Sequence, residues 1–132
     1  MRMWMGGTAR LFGYLVMAAG ISLILTVTNG QVSATPQATR EINGLLDFVE
    51  HSECHFLRSG SEYSGPRARA HLEQKLSYLQ DRNMVNSAED FIDLAATKSS
   101  MSGRPYELRC SQGVESASTW LKRELQRQRQ LH

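Results

Sequence analysis

Tyr106-Glu107-Leu108-Arg109-Cys110, YELRC, alternates apolar and polar residues without a break. That period of two predicts a strand with Tyr106, Leu108 and Cys110 on one face. A lone strand leaves its backbone groups unpaired, so this one needs partners. They lie well upstream. Cys54-His55-Phe56-Leu57-Arg58 alternates in part, Ser59-Gly60 offers a turn, and Ser61-Glu62-Tyr63 follows. This is the pattern of a short hairpin. Pairing the late strand with the early hairpin gives a small antiparallel sheet.

The remaining segments read as helices. Ile42, Leu45, Leu46 and Val49 form one apolar stripe at helical spacing, which predicts a helix from Glu41 to near Ser52. Gly44 weakens it by about 1 kcal/mol relative to alanine. Ser64-Gly65-Pro66 opens a second helix, with proline in the tolerated first turn and Leu72, Leu76 and Leu79 buried. It runs to about Gln80 and breaks near Asp81-Arg82-Asn83. Ser87 is an N-cap followed by Glu89 and Asp90, and it starts a short third helix. Phe91, Leu94 and Ala95 are its expected inner face, with Ile92 beside them. Ser111-Gln112-Gly113 turns the chain, and a last helix begins around Ser116–Thr119, burying Trp120, Leu121 and Leu125. The expected fold class is α+β: a small antiparallel sheet, hairpin plus one late strand, packed with about four helices. One domain spans 41–130, preceded by a flexible stretch over 35–40.

The start of the chain reads differently. Arg2 and Arg10 precede an uncharged apolar run of 17 residues, Leu11–Val27, and Val32-Ser33-Ala34 supplies small residues ahead of Thr35-Pro36. A basic start, an apolar centre and a small-residue site form an export signal over 1–34, with cleavage after Ala34. The rival is an uncleaved anchor, but a bilayer span needs about 20 apolar residues. Cleavage leaves no stable membrane span and places the protein in the periplasm or outside the cell. It also removes the apparent basicity. The whole chain has 15 Lys+Arg against 13 Asp+Glu, and two arginines leave with the signal. A neutral, exported domain lacks the electrostatic footprint of a nucleic-acid binder. The basic tail from Lys122 to Arg129 suits a helix C-terminus, where the dipole favours cations.

His51-Ser52-Glu53-Cys54-His55 concentrates ligand-type residues. A metal would need His51 and His55 on one helical face plus Cys54 or Glu53. The helix is expected to end there, and only His71, Cys110 and His132 remain elsewhere to complete a site. No metal and no cofactor is therefore assigned. A reactive Cys54 would need a reduced thiol outside the cytoplasm. Two cysteines in a small exported domain, both on strands that must pair, point instead to a Cys54–Cys110 disulfide.

Lys98-Ser99-Ser100-Met101-Ser102-Gly103-Arg104-Pro105-Tyr106 is the candidate binding loop. It joins a helix end to a strand and carries hydroxyls, cations and a glycine. Loops of this kind carry function more often than cores do. Lys98, Ser99, Ser100, Ser102, Gly103, Arg104 and Tyr106 are the candidate contact residues, for an anion or a glycan. The bland alternative is a loop whose serines cap the preceding helix and whose Tyr106 is core. The spacing Ser102-Gly103-x-x-Tyr106 is similar to that in the loop of envelope lysozyme inhibitors, which are all-β barrels. His71 could serve a hydrolase only beside a loop serine and a carboxylate such as Asp90. No Gly-x-Ser-x-Gly elbow is present, so no catalytic residue is assigned.

Several segments together resemble the YfeK-like family, small exported bacterial proteins built on a domain of unknown function. They are Phe56–Gly60, Ala70-His71-Leu72 with Lys75-Leu76, Ser87–Ile92, Ser99–Gly103 with Pro105-Tyr106, and Trp120-Leu121 with Glu124-Leu125. The most specific is AEDFIDLAATKSSMSGRPY, residues 88–106, and the likeness spans about residues 42–127. The resemblance implies a bacterial envelope location and a single domain, and it brings no catalytic residues. The expected function is a non-enzymatic envelope module that binds a protein or glycan through Ser99–Tyr106. A small hydrolase or a lysozyme-inhibitor-like protein is the alternative.

Overall fold

The structure, a computed structural model, describes Gly20 and residues 34–132. Apart from Gly20 and Ala34, the signal segment read at the start of the chain lies outside the described residues. The elements run α1 (Pro36–Glu50), β1 (His55–Arg58), β2 (Ser61–Tyr63), α2 (Gly65–Gln80), α3 (Ala88–Ala95), β3 (Glu107–Cys110), β4 (Gly113–Ser116) and α4 (Ala117–Arg129). The sheet order is β2-β1-β3-β4, and every pair is antiparallel. The late strand does pair with the early hairpin: Phe56 faces Leu108 and His55 faces Arg109. The fold is α+β, as the alternation in YELRC requires.

Three local readings are corrected. First, α1 begins at Pro36, so residues 36–40 are helical rather than a loose lead-in. The Thr35 hydroxyl accepts from the Ala38 amide at 3.1 Å, and Pro36 follows in the first turn. This is a capped start. Second, Gly113 does not merely end a turn. It starts β4, which pairs Leu108 with Glu115 and Arg109 with Val114. The sheet therefore has two hairpins instead of one hairpin and a lone strand. Third, Leu94 is exposed. The buried stripe of α3 is Ala88, Phe91, Ile92 and Ala95, a full i, i+3, i+4, i+7 set that leaves Leu94 outside.

The turn between β1 and β2 is built by Ser59 and Gly60, with φ of 48° and 85°. Two residues in the left-handed region match the twist of a tight hairpin. Leu45, Phe91, Ile92, Leu108, Leu121 and Leu125 sit at the centre of the core. Trp120 joins sheet to helices: its ring stacks on Phe48 of α1 at 4.4 Å and meets Phe56 of β1 edge-on at 5.7 Å. Ion pairs fasten the helices at their margins. Arg69 of α2 reaches Asp47 and Glu50 of α1, and Arg129 of α4 reaches Glu41 of α1 and Glu89 of α3.

Two helical glycines sit in different surroundings. A Cβ at Gly65 would lie 2.5 Å from the Glu50 carbonyl oxygen and 2.6 Å from that of Val49. These are backbone atoms of α1, which cannot swing aside. A Cβ at Gly44 would meet only the flexible end of Gln128. Gly65→Ala is therefore expected to destabilise by about 1–3 kcal/mol, the usual cost of overpacking. Gly44→Ala should lose far less, because better helix propensity returns up to about 1 kcal/mol. Urea unfolding of the two variants side by side tests this, and equal midpoints would reject the close α1–α2 approach as a constraint.

Candidate functional site

The 97–106 segment folds back on itself. The Tyr106 amide donates to the Thr97 carbonyl, the Ser99 amide to the Arg104 carbonyl, and the Gly103 amide to the Ser99 carbonyl, all at 2.9 Å. Gly103 has φ +72°, which glycine adopts without strain. Lys98 and Pro105 form an isolated bridge. The candidate residues thus divide into two sets. Ser100, Ser102, Gly103 and Arg104 are exposed, as is Lys98. Ser99 is 2% exposed, and its hydroxyl accepts from the amides of Met101 and Ser102, both at 3.3 Å. Ser99 therefore builds the loop and presents almost no surface. Met101 stands at the tip, 89% exposed.

Tyr106 is the hinge of the site. Its ring is buried, with its hydroxyl 3.0 Å from His71 Nε2 and 3.3 Å from Lys75 Nζ. The Lys75 ammonium lies over the Tyr106 ring, 5.0 Å from its centre, and also donates to the Lys98 carbonyl at 2.9 Å. α2 places both partners because His71 and Lys75 are four residues apart on one face. Arg58 completes the group. It is two residues from Phe56 on β1, so the pleat points it to the helix side of the sheet. Burial, then Arg58 and Lys75, hold the His71 pKa below its ordinary value. Burial and Arg58 lower that of Lys75. Burial raises that of the Tyr106 phenol, against the pull of Arg58.

Two hollows meet at Arg58 and Tyr63. One is an apolar cavity of about 40 Å³ whose lining includes Leu72, His71 and Tyr106. The other is an open cleft of about 350 Å³ between the β1–β2 turn and the loop, lined by Arg58, Ser59, Ser61, Tyr63, Met101 and Ser102, with Ser99 at its base. A 2.9 Å hydrogen bond between the hydroxyls of Ser59 and Ser102 spans its rim. Sequence reasoning missed Arg58, Ser59 and Lys75 as site residues. The inward position of Arg58 beside Phe56 was the available signal.

The other candidates are placed apart. His51 is the C-cap of α1, and its Nδ1 is 2.8 Å from the Asp47 carbonyl. His55 opens β1 and faces Glu62 at 3.9 Å. They do not share a helical face, and Cys54 is bonded to Cys110 with Cα atoms 4.5 Å apart. No group of three His, Cys, Asp or Glu suited to a metal ion occurs among the described residues. Among the described residues, His71 hydrogen-bonds to neither a serine hydroxyl nor a carboxylate, and the Asp90 carboxylate accepts from the Asn86 amide. Tyr106 of the lysozyme-inhibitor-like spacing is buried, well behind the loop tip. Among the described residues, no helix is long and apolar enough to cross a membrane.

The fold defines a small α+β domain whose sheet is stapled by a disulfide. Residues 36–129 match a family of unknown function, DUF5329, and the chain belongs to that family. It is similar to the uncharacterized protein YfeK of Salmonella typhimurium, with 33% identity over 93 residues, covering 69% of this chain and 74% of that protein. No solved structure matches. The family identification and the fold class both agree with the sequence reading.

Proposed function

We propose that this protein is an exported, non-enzymatic binding module of the bacterial envelope. It engages a partner through the exposed Lys98–Arg104 loop and the adjoining β1–β2 turn. The observation that carries the reading is the tie between two separate chain segments at the cleft, where the Ser59 and Ser102 hydroxyls meet at 2.9 Å. A loop braced from inside by Ser99 and from below by Tyr106 is pre-organised, which lowers the entropy cost of binding. Export is supported by the apolar leader in the sequence and by the disulfide, which persists in oxidising compartments. In-cell crosslinking followed by fractionation tests both halves. The wild-type protein is expected in the periplasmic fraction with a crosslinked partner that Ser102→Ala/Arg104→Ala loses. A cytoplasmic protein would reject the export half, and a partner retained by the variant would reject the loop.

A further inference from the structure

The charge layout of the domain is uneven in a way that points to a ligand. The described residues hold Lys+Arg and Asp+Glu in equal numbers, yet not every cation is paired. Arg69, Arg109, Lys122, Arg123, Arg127 and Arg129 all have carboxylate partners. Arg40, Arg67 and Arg82 have none among the described residues, and neither do Arg58 and Lys75, the two cations that gather at Tyr106. The next carboxylate along the chain, Glu107, faces Leu57 in register and is exposed on the outer side of the sheet. Cations gathered at a half-buried hydroxyl without a counter-charge repel one another. A fold keeps such an arrangement at a cost that a bound anion removes.

The cleft beside these cations has the chemistry of a sugar site. Its wall carries the hydroxyls of Ser59, Ser61 and Ser102, each able to donate and accept. The Tyr63 ring is covered by Arg67 at 5.2 Å, which fixes that wall. Arg58 belongs to both the wall and the cationic corner.

We propose that Arg58, His71 and Lys75 form the receptor for one oxyanion carried on a sugar, held at the Tyr106 hydroxyl while the sugar's hydroxyls occupy the serine-lined cleft. The ligand class is an acidic sugar, a uronate or a sugar phosphate. This rests on the binding-module reading and names the ligand of the same site. Arg58 offers a planar fork suited to a carboxylate or phosphate, and Lys75 a point charge. The Tyr106 hydroxyl supplies a directional hydrogen bond, oriented by His71 Nε2 at 3.0 Å. The exposed Lys98 contributes long-range attraction, which salt screens.

Titration of the purified protein with glucuronate, glucose 6-phosphate, glucose and inorganic phosphate tests it, read by calorimetry and by the His71 ring resonances. At least one acidic sugar is expected to bind saturably, at least tenfold tighter than glucose and than phosphate. Arg58→Gln and Lys75→Gln should each weaken it at least tenfold with melting unchanged, and Arg58→Lys should lose less. If Arg58→Gln fails to fold, Lys75→Gln carries the comparison, since that side chain is partly exposed. Inorganic phosphate binding as tightly as either acidic sugar would overturn the sugar assignment. No saturable binding, or affinities that ignore both variants, would overturn the site. Loop-dependent crosslinking with no acidic-sugar binding would remove this inference alone. Failure of the crosslink would instead strike the module reading.

Discussion

Cys54→Ser and Cys110→Ser are each expected to lower the unfolding free energy by about 4 kcal/mol, and the double variant by no more than either one. The magnitude follows from the chain that the bridge closes. The cysteines are separated by 56 positions, and restricting so long a loop in the unfolded ensemble is worth about 4 kcal/mol in the chain-entropy treatment. The native side adds little penalty, because the bridge extends an existing ladder. His55 faces Arg109, so Cys54 and Cys110 are the next residues outward on neighbouring strands. A domain of this size has about 5–15 kcal/mol in total, so the loss is a large share of it. At 4–8 °C per kcal/mol it corresponds to a fall of about 15–30 °C in Tm. Urea unfolding of the oxidised protein, the reduced protein and the three variants provides the check. Reduced wild type should match the double variant. Losses that add between the two single variants would show the sulfurs acting separately. The bridge also ties β1, which presents Arg58, to β3, which follows Tyr106. Reduction should therefore loosen the candidate site along with the sheet.

What the sequence revealed and what it concealed follow from where the information lies. YELRC was legible because Tyr106 and Leu108 are both buried while Glu107 and Arg109 are exposed. The disulfide was legible because two cysteines allow one pairing. β4 was hidden: Gly113-Val114-Glu115-Ser116 has one aliphatic side chain, and Val114 is 55% exposed. An edge strand is specified by its partner's backbone more than by its own pattern. The first turn of α1 was hidden for a related reason. Between Pro36 and Arg40 only Ala38 is buried, so the signal was the Thr35 cap and Pro36, not an apolar stripe. Spacing alone could not assemble the cationic corner. Arg58, the His71–Lys75 pair and Tyr106 come from β1, α2 and the loop before β3, and only the folded chain joins them. The sequence singled out the loop for its hydroxyls, cations and glycine. It could not tell that Ser99 would turn inward while Ser102 reached across to Ser59.

Trp120→Ala is expected to cost about 4 kcal/mol, near the upper half of the range for emptying a large buried aromatic site. Two observations push it above the low end. The ring touches aromatic residues on two separate elements, Phe48 of α1 and Phe56 of β1, and such pairs add about 0.5–1.5 kcal/mol beyond area burial. The surroundings also cannot collapse easily, because Phe56 is paired with both Tyr63 and Leu108 in the sheet. Trp120→Phe should lose much less, since it keeps the stack on Phe48 and most of the volume. Denaturant unfolding gives the magnitudes, and a Trp120→Ala loss below about 2 kcal/mol would mean that the joint relaxes into the gap. The sharper consequence lies in combination. Phe56 is two residues from Cys54, so the aromatic joint and the disulfide hold the same end of the sheet, and their effects should couple. If each removes about 4 kcal/mol from a domain with roughly 5–15 kcal/mol to lose, the doubly weakened chain approaches the limit of folding. Trp120→Ala in the reduced protein is therefore expected to lose the cooperative transition. A clear two-state melt in that sample would show that the helices alone hold this fold together and that the sheet is an appendage.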